Sequence, residues 1–478
     1  MESANLPLIF PELFIVFTAL GYLISGVFQG NKSTAVLCWS AIASFSIATI
    51  ILFHASWDTS PVLGNTLIID RFSSAMRLIL LLGLIVSCAL STQYLHQERI
   101  ARFEYPVLVM IAGVGMLFMV SANDFLALYM GLELQSLCLY ILAAFHRNST
   151  RSGEAAAKYF LLGILSSGIL LFGISLIYGF AGSLDFIVIA EFLKDMKAVP
   201  PGFTVGMVFI LAALAFKISA APFHMWTPDV YQGAPTSVSA FFALVPKVAA
   251  LALLVRLLFG PFAPAQEQWV QVLYFITVLS LFFGSFGGIA QKSIKRLMAY
   301  SSINHIGYML IGLVVGTQAS ISAVVLYLLI YLVMTAGVFA VILCLRKDGI
   351  AIDNIRGLAG LSHSRPLLAY TMAVFMFAMS GVPPLAGFFG KMFIFNAAIA
   401  EGYYFLAVFG VLASVVSAYY YLRIVKVMFF DAPVDEPDDK IGFELHAVLF
   451  GALVFIVGFV FMPTHLIDFA DAAASSLF

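Results

Sequence analysis

The sequence predicts an all-α polytopic membrane protein of about fourteen transmembrane helices, with two inverted five-helix repeats that each contain a broken helix. Three observations predict it. Of the 478 residues, 62% are hydrophobic and 10% charged, and the mean hydropathy is +1.03, more apolar surface than a soluble fold can hide. Apolar runs of roughly 20 residues, the length that crosses a bilayer as a helix, recur from end to end and leave no room for a soluble catalytic domain. A proline-bearing interruption occurs twice, as Phe216-Lys-Ile-Ser-Ala-Ala-Pro222 and as Phe377-Ala-Met-Ser-Gly-Val-Pro383, 161 residues apart.

Taken in order, the spans fall near 8–28, 34–54, 73–95, 104–121, 124–145, 154–180, 203–230 (broken), 235–259, 267–290, 294–316, 319–345, 366–398 (broken), 402–431 and 442–464. Pro7 and Glu12 interrupt the N-terminus and no A-x-A-like cleavage site follows the first run, so it reads as a retained helix rather than a signal peptide. The stretch 183–197 alternates apolar and charged residues and is expected to lie along the interface. Loops after odd-numbered spans carry Lys32, Arg99, Arg102, Arg147, Arg151, Lys292, Lys295, Arg296, Arg346, Lys347 and Arg356. Loops after even-numbered spans carry little beyond Arg71, Lys194 and Lys197. The positive-inside rule then places the odd loops in the cytoplasm and both termini outside. The acidic loop from Asp431 to Asp439 dissents, but acidic residues carry little topological weight.

The first interruption organises the chain. The stretch Leu211–Pro235 begins as an apolar helix, holds Lys217 inside it, and then meets Pro222, Pro228 and Pro235, where a helix breaks for want of a backbone donor. In lipid such a break survives only where protein or an internal water cavity satisfies the freed carbonyls. A proline kink with a snorkelling lysine is the plainer alternative. Upstream, residues 155–161 resemble 323–329, and downstream 238–242 resemble 416–420, so a shared order marks the repeat more than any single match. The two units occupy 101–262 and 263–432, between an N-terminal three-helix segment, 1–100, and a C-terminal helix within 433–478. Five is odd, so the second unit enters the membrane from the opposite side, as in many transporters whose pathway lies near the broken helices.

Ionisable residues inside spans each cost roughly 2.5–3.5 kcal/mol at a helix centre. Five stand out: Glu133 in mid-span, Lys158 opening the sixth span, Lys217 before the first break, Lys247 halfway along the eighth span, and Lys391 after the second break at Pro383. Left facing lipid they would cost on the order of 12–18 kcal/mol together, so they are expected to face the interior with partners and water. Lysine suits a proton path because burial or a like charge lowers its proton affinity and a carboxylate raises it, whereas arginine stays charged. Glu133 is the natural partner for Lys217 or Lys158. His224, His305 and Lys295 are further candidates, although the histidines equally fit satisfied packing residues and Lys295 a cytoplasmic helix end. For Lys158 the bland reading is a helix cap, and for Lys391 a snorkelling side chain. Arg256 and Arg423 lie toward helix ends and read as headgroup contacts.

Other chemistries are excluded. A net charge of −1 offers no basic patch for nucleic acid. Cys38, Cys88, Cys138 and Cys344 stand alone in apolar segments, without the pairing of a disulfide framework, iron–sulfur cluster or metal site. No phosphate-cradling G-x-x-x-x-G-K-[ST] loop occurs, and Gly284-Ser-Phe-Gly-Gly reads as helix packing. The 46 phenylalanines read as lipid-facing bulk.

Four blocks carry a family likeness: Phe216-Lys-Ile-Ser-Ala-Ala-Pro-Phe-His-Met-Trp-Thr-Pro-Asp-Val-Tyr-Gln-Gly-Ala-Pro235, Gly131-Leu-Glu-Leu, Ile294-Lys-Arg-Leu-Met-Ala-Tyr-Ser-Ser-Ile-Asn-His-Ile-Gly-Tyr308, and Gly381-Val-Pro-Pro-Leu-Ala-Gly-Phe-Phe-Gly-Lys391. Together they resemble the antiporter-like subunits of proton-pumping NADH:quinone oxidoreductase (respiratory complex I), over roughly residues 100–430. Trp226-Thr-Pro-Asp-Val follows one branch of that family where sisters have Trp-Leu-Pro-Asp-Ala, and Lys391 points to the same branch. Pro383-Pro384 departs from the family's Ile-Pro wording and shifts the exact break. The resemblance implies that Glu133, Lys158, Lys217, Lys247 and Lys391 are the family's proton-transfer residues. It further implies a translocase subunit in a bacterial inner membrane, coupled to quinone reduction elsewhere, beside sister antiporter-like subunits and lipid. Flavin, iron–sulfur clusters and quinone belong, on this likeness, to other subunits, so no cofactor is expected in this chain. A Na⁺/H⁺ antiporter-type subunit and a passive scaffold of the membrane arm are the alternatives.

Overall fold

The structure, a computed structural model, describes residues 5–433 and 442–478, so the acidic loop from Val434 onward lies outside the described residues. Helices α1 (Phe10–Gln29) and α2 (Thr34–His54) form a hairpin through the tight turn Gly30–Ser33, tied across by Tyr22 to Ser44 at 2.8 Å. A two-stranded ribbon, β1 (Ser60–Val62) with β2 (Leu67–Ile69), leads into α3 (Arg71–Gln97). Asp70 starts α3 by accepting the Ser73 N–H while the Ser73 hydroxyl accepts the Asp70 N–H, a capping box that satisfies otherwise orphaned donors.

An order of helix, helix, helix, broken helix, helix then occurs twice. The first run is α4 (Glu104–Ser121), α5 (Phe125–Ala143), α6 (Thr150–Ala181), the broken pair α8 (Pro201–Lys217) and α9 (Trp226–Gly233), and α10 (Thr236–Phe259), with the short α7 (Phe186–Lys194) between α6 and α8. The second is α11 (Gln266–Ile289), α12 (Ile294–Val315), α13 (Gln318–Cys344), the broken pair α15 (Pro366–Ser380) and α16 (Ala386–Ala400), and α17 (Tyr404–Phe430). A ribbon of β3 (Arg346–Lys347) and β4 (Ile350–Ala351) and the one-turn α14 (Leu361–Ser364) join α13 to α15. Among the described residues eleven stretches are long and apolar enough to span a membrane, the first being the whole α1–α2 hairpin. Counting that hairpin as two helices and adding the two broken ones gives the expected fourteen.

At about 1.5 Å per residue, α7 is far too short to cross a bilayer, as its charge pattern implied. Its Phe186 packs on Phe125 and its Phe192 on Phe203. The expected C-terminal span at 442–464 is present as Phe443–Phe461, formed by α18 (Phe443–Gly458) and a following 3-10 turn. A further helix, α19 (Pro463–Ala474), starts at a proline and lies against α3 and α13. Ser322 of α13 donates to Asp471, and the Phe72 N–H donates to Ser476 at 3.0 Å.

Burial sorts the helices into a centre and a rim. The apolar window of α10 is 100% buried and those of α12 and α13 are 94% buried, against 39% for α6 and α17 and 22% for α18. The helices that carry Lys247 and His305 are therefore among the most buried. The phenylalanines divide the same way, correcting the expectation of lipid-facing bulk: Phe45, Phe72 and Phe125 are fully buried, while Phe17, Phe28 and Phe450 are exposed. Gly284 serves packing as expected, because a Cβ there would meet the Asn304 backbone nitrogen at 2.5 Å.

Candidate functional site

The first break begins where α8 ends at Lys217; Ser219 takes a positive φ of 63°, and the chain passes Pro222 before resuming at Trp226. Protein groups occupy the freed backbone positions. The Ala221 N–H donates to Ser280 of α11 at 2.9 Å, and the Trp226 indole donates to the Phe216 carbonyl at 3.0 Å. That is how a broken helix persists inside a membrane. Lys217, 7% exposed, donates to Ser136 at 2.8 Å and reaches Tyr140 at 3.4 Å.

Glu133, Ser136 and Tyr140 follow each other at helical spacing on α5, so one face of that helix presents a carboxylate and two hydroxyls. The Glu133 carboxylate accepts from Ser167 of α6 at 2.5 Å. It makes no ion pair with Lys217 or Lys158 among the described residues; Ser136 stands one turn along α5 and takes the Lys217 ammonium. Gly131 explains its own place in the Gly-Leu-Glu block, because a Cβ there would lie 2.8 Å from the Gly115 carbonyl of α4.

Lys158 stands apart from the buried lysines. Its side chain is 42% exposed and pairs with Glu154 at 2.7 Å and Asp229 at 2.8 Å. Asp229 also binds Arg296 at 2.5 Å, and the group borders a polar cavity of about 310 Å³ with Arg151 and Gln232. Lys295 is buried and donates to the Ala234 carbonyl at 2.9 Å, tying α12 to the α9–α10 junction. His224 stacks on Phe283 with centroids 5.2 Å apart, its Nδ1 buried without a hydrogen-bond partner.

The centre holds the remaining candidates. Lys247, 1% exposed and preceded in α10 by Pro246, donates to Ser302 of α12 and lies 5.1 Å from the Tyr231 ring. Ser302 also accepts from Tyr331 of α13 at 2.9 Å. One turn on, His305 is fully buried, with Nδ1 2.7 Å from the Tyr327 hydroxyl and Nε2 3.2 Å from that of Tyr421.

The second break separates α15 from α16 between Gly381, at φ +88°, and Leu385, with Pro383 and Pro384 inside it. Lys391, 4% exposed, reaches back and donates to the Met379 carbonyl at 2.9 Å, the Ser380 carbonyl at 3.1 Å and Ser414 of α17 at 2.8 Å. An ammonium there caps the carbonyl end of α15, where partial negative charge collects. The lysine is therefore held by the break rather than snorkelling from it. A cavity of about 420 Å³ adjoins it, lined by Gly381, Phe395, Ser414 and Val415.

Three arginines lie apart from these lysines. Arg256 is buried and grips Asp70 through two hydrogen bonds of 2.5 and 2.9 Å, which corrects its reading as a headgroup contact. Arg423, half-buried, donates to the Ile289 carbonyl at the end of α11 at 2.9 Å. Arg77 and Glu12, 1% exposed each, form a second forked pair with contacts of 2.7 Å. Sequence reasoning passed over Ser136, Ser302, Tyr327, Tyr331, Tyr421 and Asp229. The available signal was polar residues repeating at i, i+3 and i+4 beside the lysines and the histidine, as in Ser301-Ser302 before His305. Among the described residues no group of His, Cys, Asp and Glu is arranged to hold a metal ion.

Residues 122–417 match the family described as NADH:quinone oxidoreductase/Mrp antiporter, transmembrane. The NADH-quinone oxidoreductase subunit N of Paramagnetospirillum magneticum is 48% identical over 482 residues, covering 100% of this chain and 99% of the relative. That of Rhodospirillum rubrum is 48% identical, covering 98% and 96%. A chain of respiratory complex I from Thermus thermophilus superposes with a TM-score of 0.82 at 31% identity, covering 96% of this chain and 98% of that one. A chain of the Mrp complex from Dietzia sp. gives a TM-score of 0.84 at 20% identity, covering 99% and 98%, a likeness of fold alone.

Proposed function

The chain belongs to the NADH-quinone oxidoreductase subunit N family, and from that premise we propose that it carries protons across the membrane through the row Lys217, Lys247 and Lys391. One observation carries the reading. Among the described residues the membrane-buried arginines Arg77 and Arg256 are each locked to a carboxylate, whereas Lys217, Lys247 and Lys391 rest on hydroxyls, and in one case also on carbonyls. A permanently charged arginine needs a fixed counter-charge inside a bilayer. A lysine on neutral partners can release its proton without stranding a buried carboxylate, and regain it when a neighbouring charge changes.

In this mechanism quinone reduction in other subunits alters the charge at one end of the row. Glu133, one turn from the residue that holds Lys217, responds to that change, and the altered field shifts protons between the lysines. Each charge moved against 100 mV requires about 2.3 kcal/mol, so the coupling must exceed that. Residues 101–262 and 263–432 act as two half-channels, with both termini on the periplasmic side of a bacterial inner membrane. The neighbours are other membrane-arm subunits, sister antiporter-like chains among them. Lys158 and its carboxylates serve as a polar vestibule beside the first break rather than as a member of the row.

The test measures protons moved per NADH oxidised in vesicles holding the assembled complex. Glu133→Ala and Lys217→Ala each lower that ratio. An unchanged ratio in both variants would rule the row out. Proton flux that depends on Na⁺ would instead favour antiport of the kind the Mrp likeness raises.

A further inference from the structure

His305 lies one turn along α12 from the serine that holds Lys247, and both of its ring nitrogens meet tyrosine hydroxyls. A neutral imidazole has one N–H, so one nitrogen donates while the other accepts. Which does which is set by the two phenols. Tyr421 has a second partner: its hydroxyl lies 2.5 Å from Ser301 of α12. If Tyr421 gives its proton to Ser301, its lone pairs are free to accept from Nε2–H, and Nδ1 accepts from Tyr327. If Ser301 gives its proton to Tyr421, Tyr421 donates to Nε2, and Nδ1–H donates to Tyr327. Each arrangement keeps all three contacts hydrogen-bonded, and the two differ in the imidazole tautomer and in which way the hydroxyls point.

Both ends of this chain lie beside residues that adjoin the two lysines. Tyr327 presses on Gly390, the residue before Lys391, so closely that a Cβ there would meet its ring at 2.2 Å. Ser301 precedes Ser302, which takes the Lys247 ammonium. Ser301, Tyr327 and Tyr421 are all buried, so no bulk water competes for these hydroxyls.

We propose that Tyr421 and Ser301 are positioning residues that select the tautomer of His305, and so make it accept a proton on one ring nitrogen while releasing one from the other. This rests on the proton-transfer reading of the lysine row. No bond other than O–H and N–H changes: a proton arriving at the accepting nitrogen is matched by one leaving the donating nitrogen, which leaves the imidazole as the other tautomer, and a half-turn of the ring with reorientation of the hydroxyls restores the first.

The experiment uses the assembled complex in inverted membrane vesicles, with NADH oxidation by an artificial acceptor as the measure of assembled enzyme. Tyr421→Phe and Ser301→Ala each remove one oxygen and keep the packing. Each is expected to slow pumping about fivefold, the value of one buried hydrogen bond. The double variant is expected to be no slower than the worse single one, because both break the same chain. Ser301→Thr, which keeps the hydroxyl, is expected to restore pumping. Normal pumping in both single variants, with Lys247→Ala inactive, overturns this inference and leaves the lysine row standing. Multiplying losses that Ser301→Thr does not rescue assign the pair to packing and also overturn it. Normal pumping in Lys247→Ala removes the row itself, and the inference with it.

Discussion

Lys247→Met is expected to yield a complex that assembles in normal amount yet pumps at least about tenfold more slowly, the scale on which a single proton-transfer group matters. The side chain is 1% exposed, in the helix buried along its whole apolar window. Methionine matches its length and fills its volume, so no cavity opens, and removing a buried charge that has no carboxylate partner does not strand another. The loss therefore falls on transport. Lys247→Arg is expected to fail as well, because a guanidinium does not give up its proton and its fork is too wide for the single Ser302 hydroxyl. Acidification of inverted vesicles on adding NADH, normalised to artificial-acceptor activity, reads both variants. Parental rates in Lys247→Met would remove the middle of the row and with it any continuous route from Lys217 to Lys391.

The breaks and the lysines were legible because each violates a strong rule: prolines and charges inside apolar runs stand out in a composition that is 62% hydrophobic. Their partners violate nothing. Serine and tyrosine are common in membrane helices, and Ser136, Ser302 and Tyr421 become informative only once the fold sets them beside Lys217, Lys247 and His305. Distance along the chain hid the ion pairs. Glu12 reads as a local interruption until α3 brings Arg77 to it. Charge complementarity names Glu133 as a partner for a lysine but does not reveal the hydroxyls that both groups contact, Ser167 and Ser136. For Lys158 nothing along the chain separates a position near a helix end with carboxylates nearby from an interior one, and the contact with Asp229 decides it.

The second large effect concerns stability. Asp70 and Arg256 join the start of α3 to the end of α10, two elements far apart in sequence, at the margin of the buried centre. Burial by itself raises the Asp70 carboxyl, but the charge and hydrogen bonds of Arg256, with those of Ser73, outweigh it and hold the group below the ordinary carboxylate range. Removing one partner of such a pair leaves the other charge buried alone, which costs about 3–5 kcal/mol. Arg256→Met is therefore expected to lower the thermal inactivation temperature of the detergent-solubilised complex and the amount that assembles. Asp70→Asn in the same chain removes the stranded charge yet still caps α3, since asparagine accepts an N–H at an N-cap as well as aspartate does. The double variant is expected to recover most of the loss. The sign with pH follows from the depressed carboxyl: the pair's contribution is present above the ordinary carboxylate range and is lost only as pH falls through the lower, folded-state value. Parent and Arg256→Met should thus differ fully near neutrality and converge only in strong acid. Equal inactivation temperatures at neutral pH, or a double variant no better than Arg256→Met, would show that the pair does not hold the two helices together.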